Sequence, residues 1–244
     1  MPEVSNTDHR ANRLLAALEP DDFACLEPSL QVVTLVRGEV LYDSEQTIRD
    51  AFFPHDAMVS LVTVMEEGDS VEMAVFGREA VLGFSSALVT RQSFGRYIVQ
   101  MSGTASRMPI EHLHEAVVAR PKLREMLLRF TEALLRQTFQ TVACNAVHSV
   151  EARCCRWILS THDRTNDDTL ALTHEFLAEM LGVQRPTVSL VTRTLQNTGL
   201  ISQRRGVITV LDRAGLEDAA CECYRTIRRS FERLLPGTYA QERH

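Results

Sequence analysis

The sequence predicts an α+β fold with an N-terminal β barrel or roll, one long helix, and a C-terminal helix-turn-helix followed by a β-hairpin. Three observations lead to this prediction. Short apolar runs separated by closely spaced turns fill the chain up to Pro109. Residues 122–148 then contain neither glycine nor proline. Residues 173–197 combine a small residue, a glycine and an apolar period in the spacing of two crossed helices.

The roll is assigned to residues 1–120 because turn residues interrupt its apolar runs. Gly38 and Pro54 each divide a pair of such runs, the acidic residues at 66–69 form a hairpin signal, and Gly103 divides the last pair. Strands this short bury their apolar faces only in a sheet of many strands. The pattern therefore favours a barrel or roll.

The next segment, residues 121–148, is predicted to be a single helix. A helix of this length is too long to be covered by one compact domain, so pairing with a second copy of the chain is the preferred interpretation. A core helix packed on the β-roll is the alternative. The stripe predicted to form the dimer contact recurs at helical spacing and consists of Leu123, Leu127, Phe130, Leu134 and Thr141.

Residues 149–215 are predicted to form the helix-turn-helix domain, and residues 216–244 a helical tail. Two helices that cross steeply need a small residue at their contact, which Ala178 provides. Gly182 allows the left-handed backbone of the turn, and Pro186 is tolerated in the first turn of the second helix. The positions predicted to be apolar at the contact are Leu177, Leu181, Val183, Val188, Val191 and Leu195.

The second helix and the hairpin after it carry side chains that could contact a nucleic acid. An α-helix fits the major groove of B-DNA, where arginine reads guanine with two hydrogen bonds, while a basic hairpin would contact phosphates. An ordinary helical subdomain with solvated arginines is the alternative. The candidates are Arg185, Thr187, Ser189, Thr192, Arg193, Arg204 and Arg205, with Thr173, which can cap the first helix, counted among them.

The net charge of −6 hides an uneven distribution along the chain. Residues 1–146 carry 13 Lys/Arg against 20 Asp/Glu, whereas residues 147–213 carry 8 against 7. Within residues 173–206 there are four arginines and two glutamates. An acidic first half is thus joined to a locally basic segment, which is compatible with a nucleic-acid partner.

The stretch LTHEFLAEMLGVQRPTVSLVTRTLQNTGLI closely resembles the winged helix-turn-helix of Crp/Fnr-type bacterial transcription regulators. RGEVLYDSEQ, FFPHDAMVSLV and VFGREAVLG resemble their cyclic-nucleotide-binding-like jelly roll, so the resemblance covers roughly residues 20–215. It implies a β-roll sensor domain, a coiled-coil dimer, double-stranded DNA with an approximate inverted repeat, and RNA polymerase as a further partner. We therefore expect a homodimeric, sequence-specific regulator in the cytoplasm.

The candidate effector pocket departs from the family pattern. Gly77 and Glu79 match its beginning in part, but Phe94-Gly95-Arg96-Tyr97 replaces the Arg-Ser-Ala sequence that binds the phosphate. Arg96 could still meet a phosphate, and Ser85 and Ser86 could donate to it; a vestigial pocket is the preferred interpretation. Cyclic AMP or GMP is therefore not expected, and another small-molecule effector is left open.

The second helix of the motif departs as well. The glutamate and arginine that the best-known members place on it correspond here to Pro186 and Leu190. Proline offers nothing to cytosine, and leucine offers only an apolar contact, for example to a thymine methyl group. Both residues stay in the predicted DNA-binding set, and the target sequence should differ from the best-known family sites.

No metal or prosthetic group is expected from the cysteines and histidines. Oxygen-sensing relatives hold an iron–sulfur cluster through N-terminal cysteines, and here only Cys25 lies near that end. Cys154-Cys155 and Cys221-x-Cys223 are taken as inert thiols, because neighbours on a helix point in different directions; redox thiols are the alternative. The eight histidines suggest no compact ligand set, so haem is not expected either.

Other function classes are disfavoured. No nucleophile motif, phosphate-binding loop or dinucleotide fingerprint is present, which argues against an enzyme. A small-molecule sensing module with only weak DNA contact is the second hypothesis. No apolar run approaches the roughly 18 residues that a membrane span needs, and the N-terminus lacks the apolar core of a signal peptide.

Overall fold

The computed structural model describes residues 8–67, 70–87, 89–165, 167–204 and 206–239. The chain divides into two compact units. The first contains Met1–Leu61, Val75–Leu134 and Phe231–His244, and the second contains Val62–Ala74 and Leu135–Ser230. The four segments predicted along the sequence stay a prediction.

The part of the chain before Pro121 consists mainly of short antiparallel strands. Its elements are α1 (Arg13–Ala16), α2 (Pro20–Leu26), β1 (Gln31–Leu35), β2 (Val40–Tyr42), β3 (Asp50–Pro54), β4 (Met58–Val64), β5 (Ser70–Phe76), β6 (Arg96–Met101), β7 (Gly103–Pro109) and α3 (Ile110–Ala119). The described strands form one sheet in the order β1-β7-β3 and another in the order β2-β6-β4-β5. Two sheets of this kind are the β-roll that the turn spacing predicts.

Strand β7 pairs with two other strands, and its first residue must be glycine. Strand β7 is antiparallel to β1, with Leu35 opposite Gly103, and antiparallel to β3, with Pro54 opposite Ala105. A Cβ at Gly103 would lie 2.5 Å from the backbone nitrogen of Ala57, so only glycine fits at this crossing.

Helix α4 (Pro121–Val147) is uninterrupted, but its predicted dimer stripe faces the chain itself. Each of its side chains is at most 9% exposed within the single chain, which leaves little surface for a second copy, and the assignment of this stripe to the dimer contact stays a prediction. The apolar period marked the inward face of the helix. The side chains concerned are Leu123, Leu127, Phe130, Leu134 and Thr141.

The second unit contains the helix-turn-helix and a small sheet. Its further elements are α5 (Val150–His162), β8 (Thr169–Leu170), α6 (His174–Leu181), α7 (Arg185–Asn197), β9 (Ile201–Arg204), β10 (Val207–Val210), α8 (Arg213–Ala219) and α9 (Cys223–Leu234). Strand β10 lies between β8 and β9 and is antiparallel to both. Two helices followed by a hairpin form the winged motif that the sequence predicts.

Among the described residues, no helix is both long and apolar enough to cross a bilayer.

Candidate nucleic-acid interface

Local backbone chemistry sets the turn between α6 and α7. Thr173 caps α6, where its hydroxyl accepts a hydrogen bond from the Phe176 amide at 3.2 Å. The helix ends at Gly182, which has φ +61°, a left-handed conformation that favours glycine. The Val183 amide then donates to the Ala178 carbonyl at 3.0 Å, so the chain turns within three residues and starts α7 at Arg185.

The predicted contact between the two helices is confirmed. Helices α6 and α7 contact each other, and Ala178 on α6 is buried. On the same helix, the ring of Phe176 stacks edge to face with Trp157 of α5, with centroids 5.1 Å apart. Val183 alone of the predicted apolar set is only half-buried. The buried members, each at most 8% exposed, are Leu177, Leu181, Val188, Val191 and Leu195.

The first residue of α6, His174, connects that helix to α7 and to the hairpin. Its Nδ1 lies 2.8 Å from the Ser189 hydroxyl and its Nε2 lies 3.1 Å from the Thr192 hydroxyl. The side-chain amide of Gln203 on β9 also contacts Nε2. The imidazole therefore holds two helices and one strand in a fixed relation, as a positioning residue.

The expectation that Thr192 is exposed is wrong. Its side chain is 0% exposed, and its hydroxyl also donates to the Val188 carbonyl at 3.0 Å. Sequence reasoning overlooked His174, although the three-residue spacing of Ser189 and Thr192 puts both hydroxyls on one face of α7 and could have suggested a shared partner.

The outer face of α7 remains open to solvent. Arg185, Pro186, Leu190 and Arg193 are exposed, and Thr187 is partly exposed. The helix itself contains no acidic residue. The Arg185 guanidinium pairs with Glu175 at 2.6 Å, but both side chains are 64% exposed, so a phosphate or a base can compete for it at little cost.

The hairpin that follows α7 is built on Gly206, which has φ +79° at the turn. Arg204 stands opposite Val207 at the end of β9 and is exposed. The other predicted basic residue of this wing, Arg205, lies outside the described residues. The described part of the wing thus presents one guanidinium to solvent next to the turn.

A polar network holds the helices that support the wing. Arg213 donates to Asp163 Oδ1 at 2.6 Å and to the Tyr224 hydroxyl at 2.6 Å, and Tyr224 donates to Asp163 Oδ2 at 2.9 Å. Asp163 and Tyr224 are almost fully buried. This closed triangle joins the end of α5 to α8 and α9, and it satisfies a carboxylate that would otherwise be costly to bury.

The candidate effector residues are engaged with other parts of the first unit. Arg96 binds both carboxylate oxygens of Asp43, each at 3.1 Å. The Ser86 hydroxyl bonds to the Tyr97 hydroxyl at 3.0 Å, and the Ser85 hydroxyl lies 3.2 Å from the Thr131 hydroxyl. These contacts involve the groups that could have met a phosphate, in line with the preferred interpretation of a vestigial pocket.

Glu79, the acidic residue of the candidate effector set, is 0% exposed. The Gly77 amide donates to Glu79 Oε1 at 3.4 Å, so the Gly-Glu element forms a local turn with the carboxylate folded back on it.

The interior of the roll beside Arg96 is filled by aromatic rings. Tyr97 is 1% exposed and packs against Phe76 and Tyr42, with ring centroids 5.6 and 6.3 Å away. Burial raises the pKa of Tyr97 to about 12, so its hydroxyl is neutral and able to bond with Ser86. A large side chain thus occupies the space next to the candidate phosphate-binding arginine.

Comparison with known proteins agrees with this geometry. A family model described as a Crp-like helix-turn-helix domain matches residues 152–219. The chain is 25% identical over 198 residues to the global nitrogen regulator of Synechococcus elongatus, covering 77% of this chain and 88% of that protein. It is 23% identical over 224 residues to the HTH-type transcriptional regulator Cmr of Mycobacterium tuberculosis, covering 84% of this chain and 82% of that one.

Solved structures share the fold. FixK2 from Bradyrhizobium japonicum matches with a TM-score of 0.69 and 14% identity, covering 79% of this chain and 98% of that one. TTHB099 of Thermus thermophilus, a transcriptional regulator of the CRP family, matches with a TM-score of 0.62 and 20% identity, covering 77% and 96%. The expected combination of β-roll and helix-turn-helix is therefore confirmed as the fold, and the names of three of these four matched proteins describe regulators.

Proposed function

We propose that this chain is a transcription regulator of the Crp/Fnr type, which acts as a homodimer and binds an approximate inverted repeat in double-stranded DNA. The observation that carries the proposal is the outer face of α7. It combines Arg185 and Arg193 with an apolar Leu190 on a helix that contains no acid. Such a face suits the major groove, where arginine bonds to guanine and leucine contacts a thymine methyl group.

His174 supports the proposal because it fixes how this face is presented. A recognition helix reads bases only if its angle to the rest of the domain is held within narrow limits. The bonds from His174 to Ser189, Thr192 and Gln203 couple that angle to the position of the wing. In this arrangement Arg204 contacts the phosphate backbone, while Arg185 and Arg193 contact bases.

The proposed dimer contact is the outward face of α4. Leu135, Phe139 and Val142 are 50%, 68% and 64% exposed, and Leu128, seven residues before Leu135, is 52% exposed. Their spacing of seven, four and three residues is the heptad pattern of a coiled-coil seam. A run of large apolar side chains on one helix is costly to leave in water, and a second copy of the same helix would cover it.

Two-fold symmetry then determines the form of the operator. The two copies of α7 would enter successive major grooves about 34 Å apart, which requires half-sites about 10 base pairs apart, centre to centre. Since phosphate contacts contribute much of the affinity, binding should weaken steeply with added salt. The proposal also includes contact with RNA polymerase and a location in the cytoplasm, as is usual for bacterial transcription regulators.

The β-roll is proposed not to use cyclic AMP or GMP. Phe94-Gly95-Arg96-Tyr97 replaces the Arg-Ser-Ala sequence, and the buried ring of Tyr97 lies directly after Arg96 in the chain, which argues against a cyclic-phosphate site. The proposal allows a small-molecule effector of different chemistry. It includes neither haem nor an iron–sulfur cluster.

The test combines binding-site selection with a measurement of mass in solution. The full chain is incubated with a randomised duplex library at low salt, and the bound sequences are read. The expected result is an enriched inverted repeat together with a dimer mass by light scattering. A monomer that enriches no repeat would overturn the proposal.

A matched pair of variants tests the dimer contact. Val142→Asp places a charge on the outward face of α4, whereas Val118→Asp makes the same change at a valine of α3 that is 77% exposed. Val142→Asp should yield monomers with DNA affinity lower by about 100-fold, because the two half-sites no longer bind together. Val118→Asp should leave both measurements unchanged. If the two variants have the same mass in solution and the same DNA affinity, the outward face of α4 is not the dimer contact.

A further inference from the structure

Three cysteines and one histidine of the second unit lie together in a small cluster. The ligand atoms of Cys144, His148, Cys221 and Cys223 are all within 4.8 Å of one another. Sγ of Cys144 lies 3.5 Å from Sγ of Cys221, and Sγ of Cys223 lies 3.5 Å from Nδ1 of His148. The three cysteines are buried and the histidine is partly buried.

The chain brings these residues together in two pairs. Cys144 and His148 are four residues apart at the end of α4, and the His148 amide still donates to the Cys144 carbonyl, so both side chains lie on one helical face. Cys221 lies in the connection after α8, and Cys223 is the first residue of α9. The premise that Cys221 and Cys223 lie along one helix and point apart is therefore wrong.

We propose that Cys144, His148, Cys221 and Cys223 bind one zinc ion in a closed tetrahedral site. Three thiolates and one imidazole are a donor set typical of structural zinc, with bond lengths near 2.3 Å to sulfur and 2.0–2.1 Å to nitrogen. A tetrahedron of those bonds places its ligand atoms about 3.8 Å apart for two sulfurs and about 3.6 Å apart for sulfur and nitrogen. Two of the distances between ligand atoms, each 3.5 Å, lie near these values, and the other ligand atoms lie within 4.8 Å of one another.

Groups around the cluster fit a metal site. The imidazole Nε2 that faces away from the cluster lies 3.1 Å from a carboxylate oxygen of Glu222, the pairing that orients many zinc-binding histidines. The side-chain amide of Gln140 donates to Sγ of Cys223 at 3.0 Å. Two buried arginines, Arg153 and Arg156, interact electrostatically with Cys144 and would balance the negative charge of three thiolates.

The same unit contains cysteines of a different character. Cys154 and Cys155 are each 0% exposed, and burial raises the pKa of Cys155 to about 12. They agree with the expectation of inert thiols and provide a control. All four ligands of the proposed site come from the protein, so the ion has no open position for substrate and would connect the end of α4 to the start of α9. This inference does not depend on DNA binding.

The first experiment measures metal in the full chain, purified with a phosphine reductant from cells grown with zinc. Inductively coupled plasma mass spectrometry should find about one zinc ion per chain, as a four-ligand site requires. Cobalt(II), added to the chelator-treated protein, should produce the intense visible bands of tetrahedral cobalt and a sulfur-to-cobalt charge-transfer band. Reduced, folded protein that binds neither zinc nor cobalt would overturn the proposal, as would iron in place of zinc.

Matched cysteine variants locate the ion. Cys223→Ala should lose the zinc, whereas Cys155→Ala, which removes an equally buried thiol, should retain it. Glu222→Ala, at a side chain that is 73% exposed, should keep the stoichiometry but weaken zinc affinity about tenfold. Equal zinc content in Cys223→Ala and the unmodified chain would overturn the assignment. If a variant fails to fold, the cobalt spectrum of the unmodified chain still shows whether a tetrahedral site with sulfur ligands is present.

Discussion

The tract at residues 77–97 and helix α7 carry similar side chains, arginines and hydroxyls, but use them in opposite ways. In the tract, the Arg96 guanidinium hydrogen-bonds to Asp43, and the Ser86 hydroxyl hydrogen-bonds to the Tyr97 hydroxyl. On α7, Arg193 and Leu190 face solvent, while the hydroxyls of Ser189 and Thr192 turn inward to His174. The comparison teaches that residue type alone does not define a binding surface, because the partners available inside the fold decide which groups remain for a ligand.

The largest expected effect comes from emptying the interior of the roll. Tyr97→Ala should lower the free energy of unfolding by about 3–5 kcal/mol, as deletion of a buried aromatic ring does. Tyr97→Phe, which removes only the hydroxyl bonded to Ser86, should cost about 1 kcal/mol. Denaturant titration of both variants measures the difference. Equal stability of Tyr97→Ala and the unmodified chain would show that this tract is not a packed interior.

Substitution on α7 should change recognition instead of stability. Arg185→Ala should relax the preference for one base pair in each half-site by about 1–3 kcal/mol, because a guanidinium can bond to two guanine atoms. Arg204→Ala on the wing should weaken binding to all sequences alike. It should also reduce the slope of log affinity against log salt concentration by about 1, the contribution of one phosphate contact. Competition binding against single-base variants of the selected operator separates the two roles. The same uniform loss from both substitutions would contradict the assignment of Arg185 to base contact.

The smallest effect is expected at Arg96. The Arg96–Asp43 pair is largely exposed, so Arg96→Ala should change stability by only about 0–1 kcal/mol and leave DNA binding unchanged. Hydrogen bonds from Arg96 lower the pKa of Asp43. The small contribution of the pair is therefore present at neutral pH and disappears as the pH falls through that lowered pKa. Calorimetry with cyclic AMP should detect no heat of binding, and saturable binding that Arg96→Ala abolishes would restore the cyclic-nucleotide pocket.

The sequence by itself determined the elements whose signals are local. Thr173 as a cap, Gly182 as a left-handed turn residue and the apolar period of α6 and α7 are readable within a few residues, because a cap and a turn depend on neighbouring backbone. The alternation of short apolar runs and turns predicted the roll for the same reason. The length of α4 was likewise readable from its lack of glycine and proline.

Only the tertiary structure decided which face of α4 is covered, which hydroxyls His174 binds, and that Cys144 lies beside Cys221. Residues 77 apart in sequence meet because helices pack, and no period within either segment encodes that meeting. The apolar stripe of α4 could be predicted but not its partner, since burial against the same chain and burial against a second copy require the same side chains.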